Sequence, residues 1–234
     1  MVCFILFISD FYHPFNEAIC LILPKNSNKM KTSIAKALFH SHSYLNYRKI
    51  VSDLLKEGKS SGKEQSEDLT HYSALNETRM NRLDKTIKID PAIAEQLKGL
   101  QNEYTWLVLS EGWCGDAAQI LPIINKMALE TEKIDLRIVF RDENEDLMNH
   151  FLTNNGKAIP KLIIIDKATS EVIADWGPRP KGATALIANY KKEHGVVDET
   201  AKSELQLWYL HDRGLNTQEE IMRLILESVE KARY

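Results

Sequence analysis

Hydrophobic positions change their period along the chain. Over residues 30–84 they recur at helical spacing, with Ile34, Leu38 and Phe39 in one group and Tyr47, Ile50, Val51, Leu54 and Leu55 in another. The polar run 57–66 between helical stretches reads as a solvated linker. Its Gly-Lys pairs do not make a phosphate loop, because Glu64 follows Lys63 where Ser or Thr is needed and a helix precedes it rather than a strand. From about residue 85 strands alternate with helices. Thr86-Ile87-Lys88-Ile89 is a short strand, and Asp90 then caps a helix with Pro91 at its first position and Ile93, Leu97 and Leu100 on one face. Strands follow at 104–109, 134–140, 161–165 and 171–176, the last two joined by a hairpin turn over 166–170. Helices are expected over 115–129, 143–153 and 184–193. The tail carries two more, one with Leu205, Trp208 and Tyr209 on a face and stopped by Gly214. The other is opened by a Thr217/Glu220 capping box.

This alternation implies an α/β fold with a central mixed sheet flanked by helices and helical extensions at both ends. The organisation expected is a possible upstream extension or disordered segment at 1–29, a helical prefix at 30–84, an α/β domain at 85–195 and a C-terminal helical extension at 196–234. Over 1–29, two apolar runs are broken by Asp10, His13, Pro14, Asn16 and Glu17, which falls short of a membrane span, and no Lys or Arg precedes Lys25. Met30 reads as the start of ordinary composition. A poorly formed signal or membrane-surface anchor is the rival reading of the segment.

Composition narrows the function classes. Thirty basic residues against 33 acidic ones leave a formal charge of −3, so net charge offers no global electrostatic attraction for nucleic acid and only a local basic patch could supply one. Three cysteines cannot make a disulfide framework, and no Cys/His cluster has zinc spacing, so no metal is implied; neither function weighed below calls for an organic cofactor. His40 and His42 read as a surface pair. Arg79, Arg82, Lys85 and Lys88 read as a solvated basic face, with an anionic thiol substrate as the lesser possibility. A reducing cytoplasm is the natural setting.

The chemistry concentrates at Trp113-Cys114-Gly115-Asp116-Ala117. A strand ends, a short turn follows, and Cys114 falls where a helix begins. Free amides and the helix dipole favour a thiolate there, whereas Glu111 and Asp116 oppose it by like charge.

Trp113-Cys114-Gly115, Pro122 within the helix, Ala128, the loop Ala158-Ile159-Pro160 leading into a strand, and Gly177 together resemble the thioredoxin family over roughly residues 85–195. The resemblance implies a thioredoxin-like fold in which Pro160 is the family's cis-proline and lies beside Cys114. It also implies that Ile159 contacts a bound peptide or thiol through its backbone, and that Trp113 flanks the site. Two departures stand out. Ala117 occupies the second cysteine position, which rules out a disulfide within the motif, and Val108 stands where the family often carries a buried acid. The resemblance, with these departures, implies a monothiol oxidoreductase with Cys114 as nucleophile, acting on a protein or low-molecular-weight disulfide and resolved by an external thiol. The alternative is a protein-binding module that uses the same groove without chemistry. Cys3 and Cys20 read as bystanders.

Overall fold

Four short segments rich in apolar residues pair with one another, and their pairing sets the architecture. A computed structural model describes residues 25–231. Strands β1 (Tyr104–Ser110), β2 (Ile134–Phe140), β3 (Lys161–Asp166) and β4 (Val172–Trp176) form one sheet in the order β2-β1-β3-β4. β1 runs parallel to β2, with Tyr104 opposite Ile134 and Ser110 opposite Phe140. β3 is antiparallel to both β1 and β4, so the sheet is mixed. Trp106, Leu107, Val108 and Leu109 are fully buried, as a central strand covered on both faces requires.

Around the sheet lie α1 (Lys25–Phe39), α2 (Tyr44–Lys56), α3 (Glu67–Thr86), α4 (Pro91–Lys98) and α5 (Gly115–Ala128). After them come α6 (Glu145–Met148), α7 (Lys181–His194), α8 (Glu199–Asp212) and α9 (Leu215–Lys231). α1 and α2 pack on β2, α3 runs along α5, and α9 packs against α4, α5 and β4. Ser43, Ser66, Asp90 and Asp198 accept from backbone amides at the starts of α2, α3, α4 and α8. His42 exchanges two backbone hydrogen bonds with Ile138, at 2.8 and 2.9 Å, and so borders β2 instead of ending a free helix.

Several expectations are corrected. No strand forms at 86–89. α3 runs through Thr86, and the side chain of Gln218 donates to the Lys88 carbonyl and accepts from the Asp90 amide, which serves backbone groups that a neighbouring strand would otherwise pair. The helix expected over 143–153 shrinks to a 3₁₀ turn at Arg141–Glu143 and the short α6. Beyond Met148 the amides of His150 and Phe151 reach back three residues, not four. The Thr217/Glu220 capping box does not form either: α9 already begins at Leu215, and Glu220 accepts from Trp176 Nε1 and from the Lys181 amide, both at 2.8 Å. It thus serves the first turn of α7 instead of its own helix. The linker over 57–66 is not wholly solvated, since Ser60 and Ser61 are buried. The expected boundary at Met30 falls inside α1; the rest of the upstream segment, with Cys3 and Cys20, lies outside the described residues. Among the described residues, no helix is long and apolar enough to cross a membrane.

Candidate functional site

β1 delivers the chain to the turn Glu111-Gly112-Trp113, and Cys114 caps α5, its sulfur accepting from the Ala117 amide at 3.5 Å. The same sulfur donates its proton to the Ile159 carbonyl at 3.3 Å. The Ile159–Pro160 peptide is cis, and both residues are buried. Gly177 makes this approach possible: its φ is +117°, and a Cβ there would lie 2.2 Å from the Pro160 carbonyl oxygen. Cys114, the Ile159–Pro160 pair and Gly177 are therefore gathered at one point from the turn after β1, the loop before β3 and the end of β4. Trp113 stands beside them half-buried, with the Arg141 guanidinium 5.0 Å from its ring centroid.

Cys114 as a residue is 8% exposed, and burial pushes its thiol pKa up to about 12. The charge of Asp116 pushes the same way, while the Ala117 and Asp116 amides and Arg179 pull against it more weakly. Asp116 is itself held by Arg179 at 2.8 Å and by the Tyr209 hydroxyl at 2.9 Å. Glu111 is buried and accepts from the Ser61 hydroxyl and from the Asp142 amide at 3.0 Å. Burial raises its carboxyl from 4.5 to about 7 despite those two donors. A buried acid thus sits next to the site even though β1 carries Val108; it comes from the turn and not from the strand.

A cleft of about 560 Å³ opens over Trp113, Cys114, Gly115 and Asp116. α3 lines it through Leu69, Tyr72, Leu75 and Arg79, and α8 through Lys202, Leu205 and Gln206; Lys202 Nζ donates to the Tyr72 hydroxyl at 3.4 Å where the two meet. Both terminal extensions thus build the site. Ser61, Asn76 and Arg179 escape a reading of the sequence because each arrives from an element remote in the chain. The helical spacing of Leu205 and Tyr209 marks a buried face, and that is the one signal pointing to α8. Arg79 corrects its own forecast: it lines the cleft half-buried and is not part of a solvated face. Among the described residues, no cluster of His, Cys, Asp or Glu is placed to hold a metal ion.

The thioredoxin family model matches residues 62–191, more than half of the chain. The chain belongs to the thioredoxin family. Its α/β architecture is the thioredoxin-like fold with helices added at both ends. The match begins within the loop before α3 and stops inside α7, so the α8 wall of the cleft lies outside the segment the family shares.

No curated protein matches the chain. A crystal structure of a Pseudomonas aeruginosa protein of unknown function aligns with a TM-score of 0.52 at 18% identity, covering 66% of this chain and 86% of that one. An HIV epitope-scaffold aligns with a TM-score of 0.50 at 20% identity, covering 80% of this chain and 99% of that one. At such identities the likeness is one of fold.

Proposed function

We propose that this thioredoxin-fold protein is a binding protein whose ligand seats in the cleft over Cys114, with the cysteine serving as a neutral thiol. The observation that carries this reading is the Cys114 Sγ contact to the Ile159 carbonyl at 3.3 Å in a buried setting. A sulfur that donates there is a thiol, and forming a thiolate would place a negative charge against a carbonyl oxygen and near Asp116. Ala117 supplies no resolving sulfur, in keeping with a groove that holds and does not exchange. The test is the pH dependence of Cys114 alkylation in the full chain, followed by peptide mass spectrometry. An apparent pKa well above the ordinary thiol value of about 8.5 is expected; one below it overturns the reading.

One observation favours monothiol oxidoreductase chemistry as a second reading: Cys114 and Trp113 line the cleft itself, so a bound disulfide would lie against the sulfur. In that reaction the Cys114 thiolate attacks one sulfur of a mixed disulfide and expels the other as a thiolate; an external thiol then attacks the new disulfide, frees Cys114 and carries the bound group away as a mixed disulfide. Abolition of mixed-disulfide reduction by Cys114→Ser supports that chemistry, while activity retained in the variant rules it out. Either role suits a compartment in which the thiol stays reduced, so a cytoplasmic location belongs to the same proposal.

A further inference from the structure

Three cations from remote elements line the cleft, and they differ in what faces them. Arg179 pairs with Asp116 at 2.8 Å, and Lys202 with Glu199 at 2.6 Å. Arg79, among the described residues, has no carboxylate within ion-pair distance; its Nη1 donates to Asn76 Oδ1 at 2.8 Å. Asn76 is buried and its amide nitrogen donates to the Gly112 carbonyl at 2.9 Å, which ties the guanidinium to the turn that carries Cys114. A Cβ on Gly115 would lie 3.8 Å from Arg79 Nη1, so the charge stands over the first residue of α5. Burial and the like charge of Arg82 both disfavour the cation there. A guanidinium stays charged at any accessible pH and presents several donors, so an oriented, half-buried arginine without an acid is complementary to an oxyanion. The remaining walls are largely apolar, with Leu69, Leu75, Leu205 and the Tyr72 and Trp113 rings. The volume, about 560 Å³, is that of a site for a compact molecule.

We infer that the cleft takes a small organic anion, a carboxylate or sulfonate on an apolar ring-bearing body. The oxyanion sits on Arg79 and the body lies among Leu69, Leu75, Leu205 and Trp113. The inference rests on the binding role proposed above and adds the ligand class. Anilinonaphthalenesulfonate and phenylnaphthylamine test it, since they share one aromatic body and differ in the sulfonate. With the full chain at neutral pH, the sulfonate probe is expected to bind at least about tenfold more tightly than the uncharged one. Arg79→Gln should remove that advantage and leave phenylnaphthylamine unchanged, while Arg82→Gln leaves both affinities within about twofold, as an exposed charge outside the cleft should. Equal binding of the two probes by the unaltered protein overturns the inference without any variant. So does failure of the sulfonate to bind, or an affinity that survives Arg79→Gln in a protein whose circular dichroism is unchanged. Equal binding of both probes leaves the cleft a binding site of another class. Rapid alkylation of Cys114 at neutral pH overturns the neutral-thiol reading and leaves these affinities untouched.

Discussion

Two carboxylates flank Cys114, Glu111 from the turn before it and Asp116 from the first turn of α5, and they meet opposite surroundings. Asp116 faces the C-terminal side, where Arg179 and Tyr209 both reach it within 3 Å. Glu111 faces the N-terminal side, where Ser61 and the Asp142 amide donate to it and, among the described residues, no lysine or arginine lies within ion-pair distance. One acid is held in a direct ion pair; the other is held by neutral donors, with the Asp142 and Arg141 charges nearby acting on it in opposite directions. For Glu111 the neutral donors fall short of the cost of removing a carboxylate from water, the Asp142 charge adds to that cost, and the carboxyl rises to about 7. Two acids near a cysteine in sequence therefore do not act as two equal negative charges. The neighbours that sort them belong to the extensions or the loops: Ser61 precedes α3, Tyr209 sits in α8, and Arg179 follows β4.

The largest test of the contrast is Asp116→Ala. It leaves the Arg179 guanidinium and the Tyr209 hydroxyl without their acceptor in a partly buried setting, and a stability loss of about 3 kcal/mol is expected in urea denaturation. A loss below about 1 kcal/mol would mean that solvent serves both groups and that the two acids are alike. Asp116→Asn keeps the side-chain oxygen but removes the charge, and should bring the Cys114 titration down from its raised value, as read by alkylation.

Glu111 gives an effect of similar size with a different signature. Between pH 4.5 and 7 the folded protein holds a proton on Glu111 that the unfolded chain has released, so stability falls as pH rises across that window and levels off above it. The shift corresponds to about 3 kcal/mol of pH-dependent stability. Glu111→Gln should flatten this segment of the profile while leaving stability near pH 4 little changed. A variant with the wild-type slope would place the titrating group elsewhere.

Legibility in the sequence tracks the range of the interactions. β1 to β4 and α5 are readable because their patterns are local: short apolar or alternating runs for the strands, and a longer, largely apolar stretch after a turn for the helix. Trp113, Cys114, Ile159 and Pro160 are readable as motif positions, and the fold brings the last three together through Gly177. Where the reading fails, a distant side chain has taken the place of a local partner. Glu220 has the spacing of a capping box, yet it serves Trp176 and α7. Ile87 and Ile89 have strand character, yet Gln218 takes up the backbone beside them. Glycine, serine and lysine around Ser61 have linker composition, and no short-range pattern reports that one hydroxyl is buried on Glu111. Arg79 falls in the same class, for its basic neighbours suggest a surface while Asn76 turns it toward the cleft.

Ser61 carries the smallest of these effects and the one that isolates its cause. Its hydroxyl donates to Glu111 and accepts from the Gly112 amide at 2.8 Å, so it joins the acid to the turn just before Cys114. Ser61→Ala removes both bonds in a buried place, at a cost of about 1–2 kcal/mol near neutral pH. The sign of a second change separates this bond from generic packing. Donation by Ser61 favours the ionised carboxylate, so its loss should move the Glu111 midpoint further up from about 7 and extend the falling part of the stability profile to higher pH. A uniform loss at every pH would instead make Ser61 a packing residue. An upward shift with Asp116 and Arg179 intact would show that dipoles on the N-terminal side modulate one acid independently of the ion pair that holds the other.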